Sequence, residues 1–217
     1  MTVPFILALK KLSDIFAQLE IPMSVALHGR GTAIESMRDL LRIDSTEKWI
    51  VFSVAGEEKT KEYMNRLRRT LYIGVPGHGI AWAVPIKSVG GGKILAYLND
   101  GRQDARYTPE FNFSYELIVA IANEGRTDTV MNAARAAGAM GGTVLHGKGT
   151  TSPESEKFLG VSIAKEKEVI LIAARKEQKA DIMRSIMTRA GADTDAGAVM
   201  FSVPVSEVAG FGMFDET

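Results

Sequence analysis

Leu27-His28-Gly29-Arg30-Gly31-Thr32 returns 118 positions later as Leu145-His146-Gly147-Lys148-Gly149-Thr150, with five of the six letters unchanged. At an offset of 119 the echo continues: Glu47-Lys48 is answered by Glu166-Lys167, Met64 by Met183, and Val84-Pro85-Ile86 by Val203-Pro204-Val205. Matches kept in one order across so much of each half mark a duplicated structural unit of about 100 residues. One inserted residue separates the two registers. The chain has 217 residues, enough for two such units, each with its own core.

Composition narrows the classes of function. Apolar residues make up 46% and charged residues 24%, the balance of an ordinary globular chain and not of a disordered or fibrous one. Lys+Arg 26 against Asp+Glu 26 gives a net charge of +0, which argues against a protein that lives on the phosphate backbone of nucleic acid. With Cys 0, disulfide frameworks, thiolate metal sites and cysteine nucleophiles are excluded. The apolar opening, residues 2–9, is short and has no basic leader, and no other run approaches the roughly 20 apolar residues of a membrane span. The expectation is a soluble, cytoplasmic protein with no membrane span and no nucleic-acid partner.

The second unit reads clearly. Residues 115–122 (YELIVAIA) form a β-rich apolar run, and Thr127 can cap a helix whose Val130, Met131, Ala134 and Ala137 share one face. Residues 143–146 and 167–174 (KEVILIAA) read as two more strands, separated by a polar loop of about twenty residues, long enough to imply a job. A helix over residues 181–190 and a strand over 199–205 (VMFSVPV) complete the order β-α-β-β-α-β. That order is the ferredoxin-like arrangement, an antiparallel sheet with both helices on one face. In the first unit, Phe5, Leu9, Leu12, Ile15, Phe16 and Leu19 keep helical spacing where a first strand is due. The first strand is therefore missing or displaced. Residues 93–98 (KILAYL), following a glycine turn after a strand at 80–86, are the expected replacement. The fold class is α+β: two tandem ferredoxin-like units, the first permuted or shortened at its first strand. Their expected limits are 1–98 and 114–217, with a linker over 99–113.

Val130-Met131-Asn132-Ala133-Ala134-Arg135, residues 137–147 (AGAMGGTVLHG), Glu156-Lys157-Phe158-Leu159-Gly160 and Phe201-Ser202-Val203-Pro204-Val205 together resemble the nitrogen regulatory P-II family. The likeness covers nearly all of residues 114–210. Residues 21–91 look like a more diverged copy, and residues 77–85 (GHGIAWAVP) resemble the family's approach to its fourth strand. The resemblance implies small ferredoxin-like subunits that assemble as trimers and bind ATP or ADP in clefts between subunits. It also implies a loop after the second strand that touches enzymes, transporters or transcription regulators. Three departures stand out. Neither 147–166 nor 29–47 holds the tyrosine that well-studied members carry in this loop, so uridylylation there is not expected. Residues 193–198 (DTDAGA) lack the lysine of the family's phosphate-gripping loop, and residues 207–217 hold none of its arginines.

Candidate ligand-contacting residues follow from the repeat and the resemblance. Gly147, Lys148, Gly149 and Thr150 can offer backbone N–H groups, an ammonium and a hydroxyl to a nucleotide or small anion. Gly29, Arg30, Gly31 and Thr32 are their counterparts, and Thr194, Gly197, Gly77, His78 and Gly79 lie in the glycine-rich approaches to the fourth strands. The competing reading of Gly147 to Thr150 is a strand-to-loop bend that needs glycine. Residues 142–150 nearly spell a Walker A loop, but β-favouring residues stand between the glycines and no helix follows. His28, His146 and His78 show no HxH or HxxxH spacing, so no metal is expected. Arg66, Arg68 and Arg69 sit at helical spacing with Met64 and Leu67 inward and read as a solvated face. No nucleophile, base and orienting group can be placed together, so no catalytic residue is assigned and the chain reads as a non-enzyme. The expected function is a signalling module that self-associates, as a trimer first and a dimer second. It senses a nucleotide or small anion in inter-unit clefts and relays it to a protein partner through the loops after the second strands. The alternative is an oligomeric binding or scaffold protein that has lost nucleotide binding.

Overall fold

The computed structural model describes residues 3–21, 24–32, 47–73, 78–86, 113–148 and 166–210. Within them the second half folds as its pattern requires. β4 (Tyr115–Asn123), α3 (Thr127–Ala136), β5 (Thr143–Lys148), β6 (Glu166–Arg175), α4 (Lys176–Ala190) and β7 (Val199–Val205) follow in the order β-α-β-β-α-β. β6 lies between β5 and β4 and is antiparallel to both, and β7 flanks β4. This is the split βαβ arrangement, all from one continuous stretch of chain.

The register explains the core. β4 and β6 pair from Tyr115↔Arg175 to Asn123↔Lys167, and β5 pairs with β6 from Thr143↔Leu171 to Lys148↔Glu166. Facing residues share a side of the sheet. Thus Ile118, Ala120 and Ala122 of β4, Ile170 and Ile172 of β6 and Val144 of β5 pack with Val130, Met131 and Ala134 of α3 and Ile182 and Ile186 of α4 in one buried cluster. The small residues of β4 let the helices sit close. Lys179 of α4 reaches Glu116 of β4 at 2.9 Å, pinning helix to sheet at the margin. α4 begins at Lys176, five residues ahead of the sequence reading, because Lys-Glu-Gln-Lys-Ala are all good helix formers with nothing to stop them.

Two strands from the first half extend this sheet. β1 (Ser24–Gly31) and β2 (Glu47–Ser53) give the order β2-β1-β5-β6-β4-β7. β1 runs antiparallel to β5, its own counterpart in the repeat, with Arg30↔Val144 and Gly31↔Thr143. Thr32 ends that seam: its N–H donates to the Gly142 carbonyl at 3.0 Å, and its Oγ1 accepts from the Gly142 N–H at 2.8 Å. The Arg135 guanidinium also donates to the Thr32 carbonyl.

The remaining described elements are α1 (Val3–Gln18), α2 (Glu57–Leu71), β3 (Ala81–Ala83) and β8 (Glu207–Ala209). Ile15, Met64, Leu67 and Ala209 form their core, with Leu12, Leu19 and Ala81 packed against it. The helix at the start of the chain confirms that no first strand runs there. The strand expected at 80–86 is only three residues long and pairs with β8, Ala81↔Ala209 to Ala83↔Glu207. Sequence reading had no β8, since Glu207 to Ala209 is too short to show a period. The expected displaced strand at 93–98 lies outside the described residues. The chain divides into two compact units that are not consecutive, one of residues 1–26, 51–111 and 205–217 and the other of 27–50 and 112–204. This differs from the expected limits of 1–98 and 114–217, because β1 and β2 sit on the sheet of the second half. The architecture is α+β with antiparallel sheets.

In the first of these units Tyr63 stacks on Phe16, ring centroids 4.9 Å apart, and burial pushes its phenol up to about 12. A neutral phenol is favoured in the folded state, so stability is intact below the unfolded value of about 10 and falls as the pH rises from there towards about 12. Tyr63→Phe is expected to flatten that alkaline slope in denaturant titrations between pH 9 and 12.

Candidate functional site

Strand directions decide which candidates can meet. β5 ends, β6 begins, β4 ends and the loop before β7 all lie at one end of the second-half sheet. That end gathers Gly147 and Lys148, Glu166 and Lys167, Asn123, and the 191–198 loop holding Thr194 and Gly197. Because β1 is antiparallel to β5, Gly31 and Thr32 reach the opposite end, beside Thr143 and Gly142. The two copies of the glycine motif therefore do not form equivalent sites on one rim. β6 and β4 stand between β5 and β7, so Gly147 and Gly197 are separated by roughly 14 Å at about 4.8 Å per strand.

Of the four residues Gly29 to Thr32, Gly29 and Thr32 are held in structural contacts. A Cβ on Gly29 would lie 2.7 Å from the Val144 carbonyl oxygen and 3.3 Å from Ile50 and Leu145, so glycine is what lets β1 approach β5 here. Arg30 is exposed, while the Thr32 N–H, hydroxyl and carbonyl are all engaged at the seam. Gly147 differs. It has no positive φ, and a Cβ there would meet nothing within 4 Å, so the reading of a bend that requires glycine has no support from its backbone. Gly149, Thr150 and Gly77 lie outside the described residues. His78 is exposed and its Nδ1 lies 3.0 Å from the Leu71 carbonyl, closing the end of α2, and Gly79 is exposed at φ +114.

The loop before β7 satisfies itself. The Thr194 N–H donates to Gly191 O at 3.0 Å, Gly197 N–H to Thr194 O at 2.9 Å and Ala198 N–H to Ala190 O at 2.9 Å. Thr194 Oγ1 donates to Gly191 O at 2.8 Å and accepts from the Ala196 N–H at 3.2 Å. The N–H donors of Thr194, Ala196, Gly197 and Ala198 are thus already paired within the loop or with the end of α4. Asp195 extends outwards, 3.8 Å from Arg126.

Two buried charged side chains escaped the sequence reading. Lys167 is buried on the sheet face away from the helices, with Gly147 opposite it on β5 and Asn123 opposite on β4. Its Nζ donates to Asn123 Oδ1 at 2.6 Å. Its counterpart in the repeat, Lys48, is also desolvated, and burial holds that ammonium below the usual lysine range. The signal was present, since Glu47-Lys48 and Glu166-Lys167 mark the repeat, but a lysine in a strand start reads as solvated. The second is Glu168, only 2% exposed. Its Oε2 accepts from Arg126 N–H at 3.1 Å, Thr127 N–H at 2.9 Å and Thr127 Oγ1 at 2.7 Å. Thr127 is the first residue of α3 and caps nothing itself; a carboxylate from β6 does so, where the helix dipole favours negative charge. Arg66 bonds Glu62 and Gln18, and Arg68 bonds the Val208 carbonyl. His28 packs edge-on to Trp49 at 5.3 Å. Among the described residues no group of three or more His, Cys, Asp or Glu is placed to hold a metal, and no helix is long and apolar enough to cross a membrane.

Residues 115–211 match the family model described as nitrogen regulatory protein P-II. The match spans the second βαββαβ unit and leaves the first half unmatched, so the tandem duplication rests on the internal echo alone. Among solved structures, a crystal structure of Arabidopsis thaliana PII bound to citrate is similar at 21% identity, covering 44% of this chain and 78% of that chain with a TM-score of 0.35. No curated protein matches the chain.

The contrast between the paired glycines is directly testable. Gly29→Ala is expected to cost about 1–3 kcal/mol by overpacking against the Val144 backbone. Gly147→Ala is expected to stay within about 0.5 kcal/mol. Urea unfolding of the two variants checks both.

Proposed function

We propose that this protein is a non-catalytic, self-associating regulatory protein of the P-II kind. A nucleotide such as ATP or ADP, or another small anion, is taken up in clefts between copies of the chain. The observation that carries this reading is the P-II pattern lying over a complete βαββαβ unit, residues 115–211. In the proposed site, Gly147, Lys148, Gly149 and Thr150 of one copy of the chain face a glycine-rich segment of another copy, either Thr194 to Gly197 or Gly77-His78-Gly79. Lys148 supplies a movable point charge, and the buried Lys167 ammonium adds positive potential beside Gly147. Occupancy is relayed to a protein partner through the segments that follow β1 and β5. Arg30, with its planar fork, gives the first copy a different anion preference from the second, so the two halves are not functionally equal.

Self-association is supported by the face of the second-half sheet that the helices leave uncovered. Met200 turns into the helix-side core, so Val199 and Phe201 point the other way, 53% and 50% exposed. Leu27 at 41% and Ile121 at 37% lie on that same face. Apolar exposure of this extent on a sheet is what a second copy would cover, three chains being the first assignment and two the second.

A second reading, a scaffold without nucleotide binding, is favoured by one specific observation, the internal pairing of the amides in the 191–198 loop. With few donors left for phosphate, affinity is expected to be weak, on the order of 10 μM to 1 mM. Calorimetry with ATP and ADP, with and without Mg²⁺, separates the two. Under the sensing reading a nucleotide binds, and Lys148→Ala weakens it roughly tenfold by removing a charge-assisted hydrogen bond while leaving the unfolding midpoint unchanged. Unchanged affinity in that variant would place the site elsewhere, and no binding at millimolar nucleotide would favour the scaffold.

A further inference from the structure

The turn after β4 touches both the loop before β7 and the start of β6. Asn123 Oδ1 accepts from Lys167 Nζ at 2.6 Å, while Asn123 Nδ2 donates to the Asp195 carbonyl at 3.0 Å. Its backbone N–H donates to the Ala196 carbonyl at 2.9 Å. The following residue adds a second tie, Glu124 N–H to Glu166 O at 3.3 Å. On the loop side Gly197 has φ +55, and a Cβ there would lie 2.9 Å from Asn123 Nδ2. The carboxamide thus has its oxygen committed to β6 and its nitrogen to the loop. It cannot turn over without losing both bonds, because neither end can exchange donor for acceptor.

We propose that Asn123 is a positioning residue that couples the 191–198 loop to the start of β6. A displacement of the loop pulls on the carboxamide and so shifts Lys167, and with it the paired strand ends Lys148 and Glu166. The coupling is short-range, passing through one side chain and a fixed set of hydrogen bonds. It rests on the reading that this end of the sheet is the working end of the protein. Its test needs no ligand, so a failure to bind nucleotide leaves the result intact.

Amide hydrogen exchange on the full chain measures the coupling as a double-mutant cycle. Gly197→Ala pushes a methyl towards Asn123 and is expected to speed exchange at residues 166–168 roughly tenfold. In an Asn123→Ala background the same substitution is expected to loosen residues 194–198 and change residues 166–168 by less than about twofold. Equal acceleration in both backgrounds, or none in the parent, would overturn the proposal. Exchange at Ile170 and Ile172, in the core, reports whether either variant has lost its fold. Asn123→Asp gives an independent arm: it keeps the acceptor for Lys167 and loses the donor to Asp195. It is expected to free residues 194–198 while leaving 166–168 as in the parent, and loosening of both or of neither contradicts the proposal.

Discussion

The second-half structure depends on the register of β4 against β6. Pairing Ile118 with Ile172 and Ala120 with Ile170 puts the apolar set on the helix side. The same alternation sends Glu168 under the N-terminus of α3 and places Lys167 beside Asn123 on the other face. A slip of one residue would exchange the two sets, burying the Lys167 ammonium beneath the helices and freeing the first N–H groups of α3. Core packing, the helix cap and the polar cluster at the sheet end are thus consequences of one alignment. They should be lost together.

The strands themselves were legible, because apolar runs such as residues 115–122 and 167–174 have the length and composition of interior strands. What the sequence concealed is tertiary. Thr127 has the right type and place for a cap, yet the capping oxygen belongs to Glu168, forty-one residues away, and no local pattern announces a partner at that distance. Gly29 and Gly147 read as one repeated motif, but only Gly29 is pressed against a neighbouring carbonyl, that of Val144 on β5. The strand at Ala81–Ala83 was expected to be longer because a period-2 pattern cannot tell how much of it finds a partner. Of the candidate residues, Lys148 with Gly147 and Thr194 with Gly197 share one end of the sheet, while Gly31 and Thr32 close the other.

The echoed motif stands in two different surroundings. In the carboxy-terminal copy the motif ends an interior hairpin strand whose glycine leaves space beside a buried lysine. In the amino-terminal copy the same letters build an extra strand on that hairpin, and the threonine has become a clasp on Gly142 and Arg135. Two such strands joined side by side lengthen the sheet and enlarge the surface that the two helices α3 and α4 do not cover.

The proposed self-association rests on Leu27, Ile121, Val199 and Phe201, which stand exposed on the side of the sheet away from α3 and α4. Light scattering of the full chain at micromolar concentration tests it most directly. The account requires a mass that is a multiple of the 23.5 kDa chain, threefold in the first instance. A solution mass equal to one chain would contradict it.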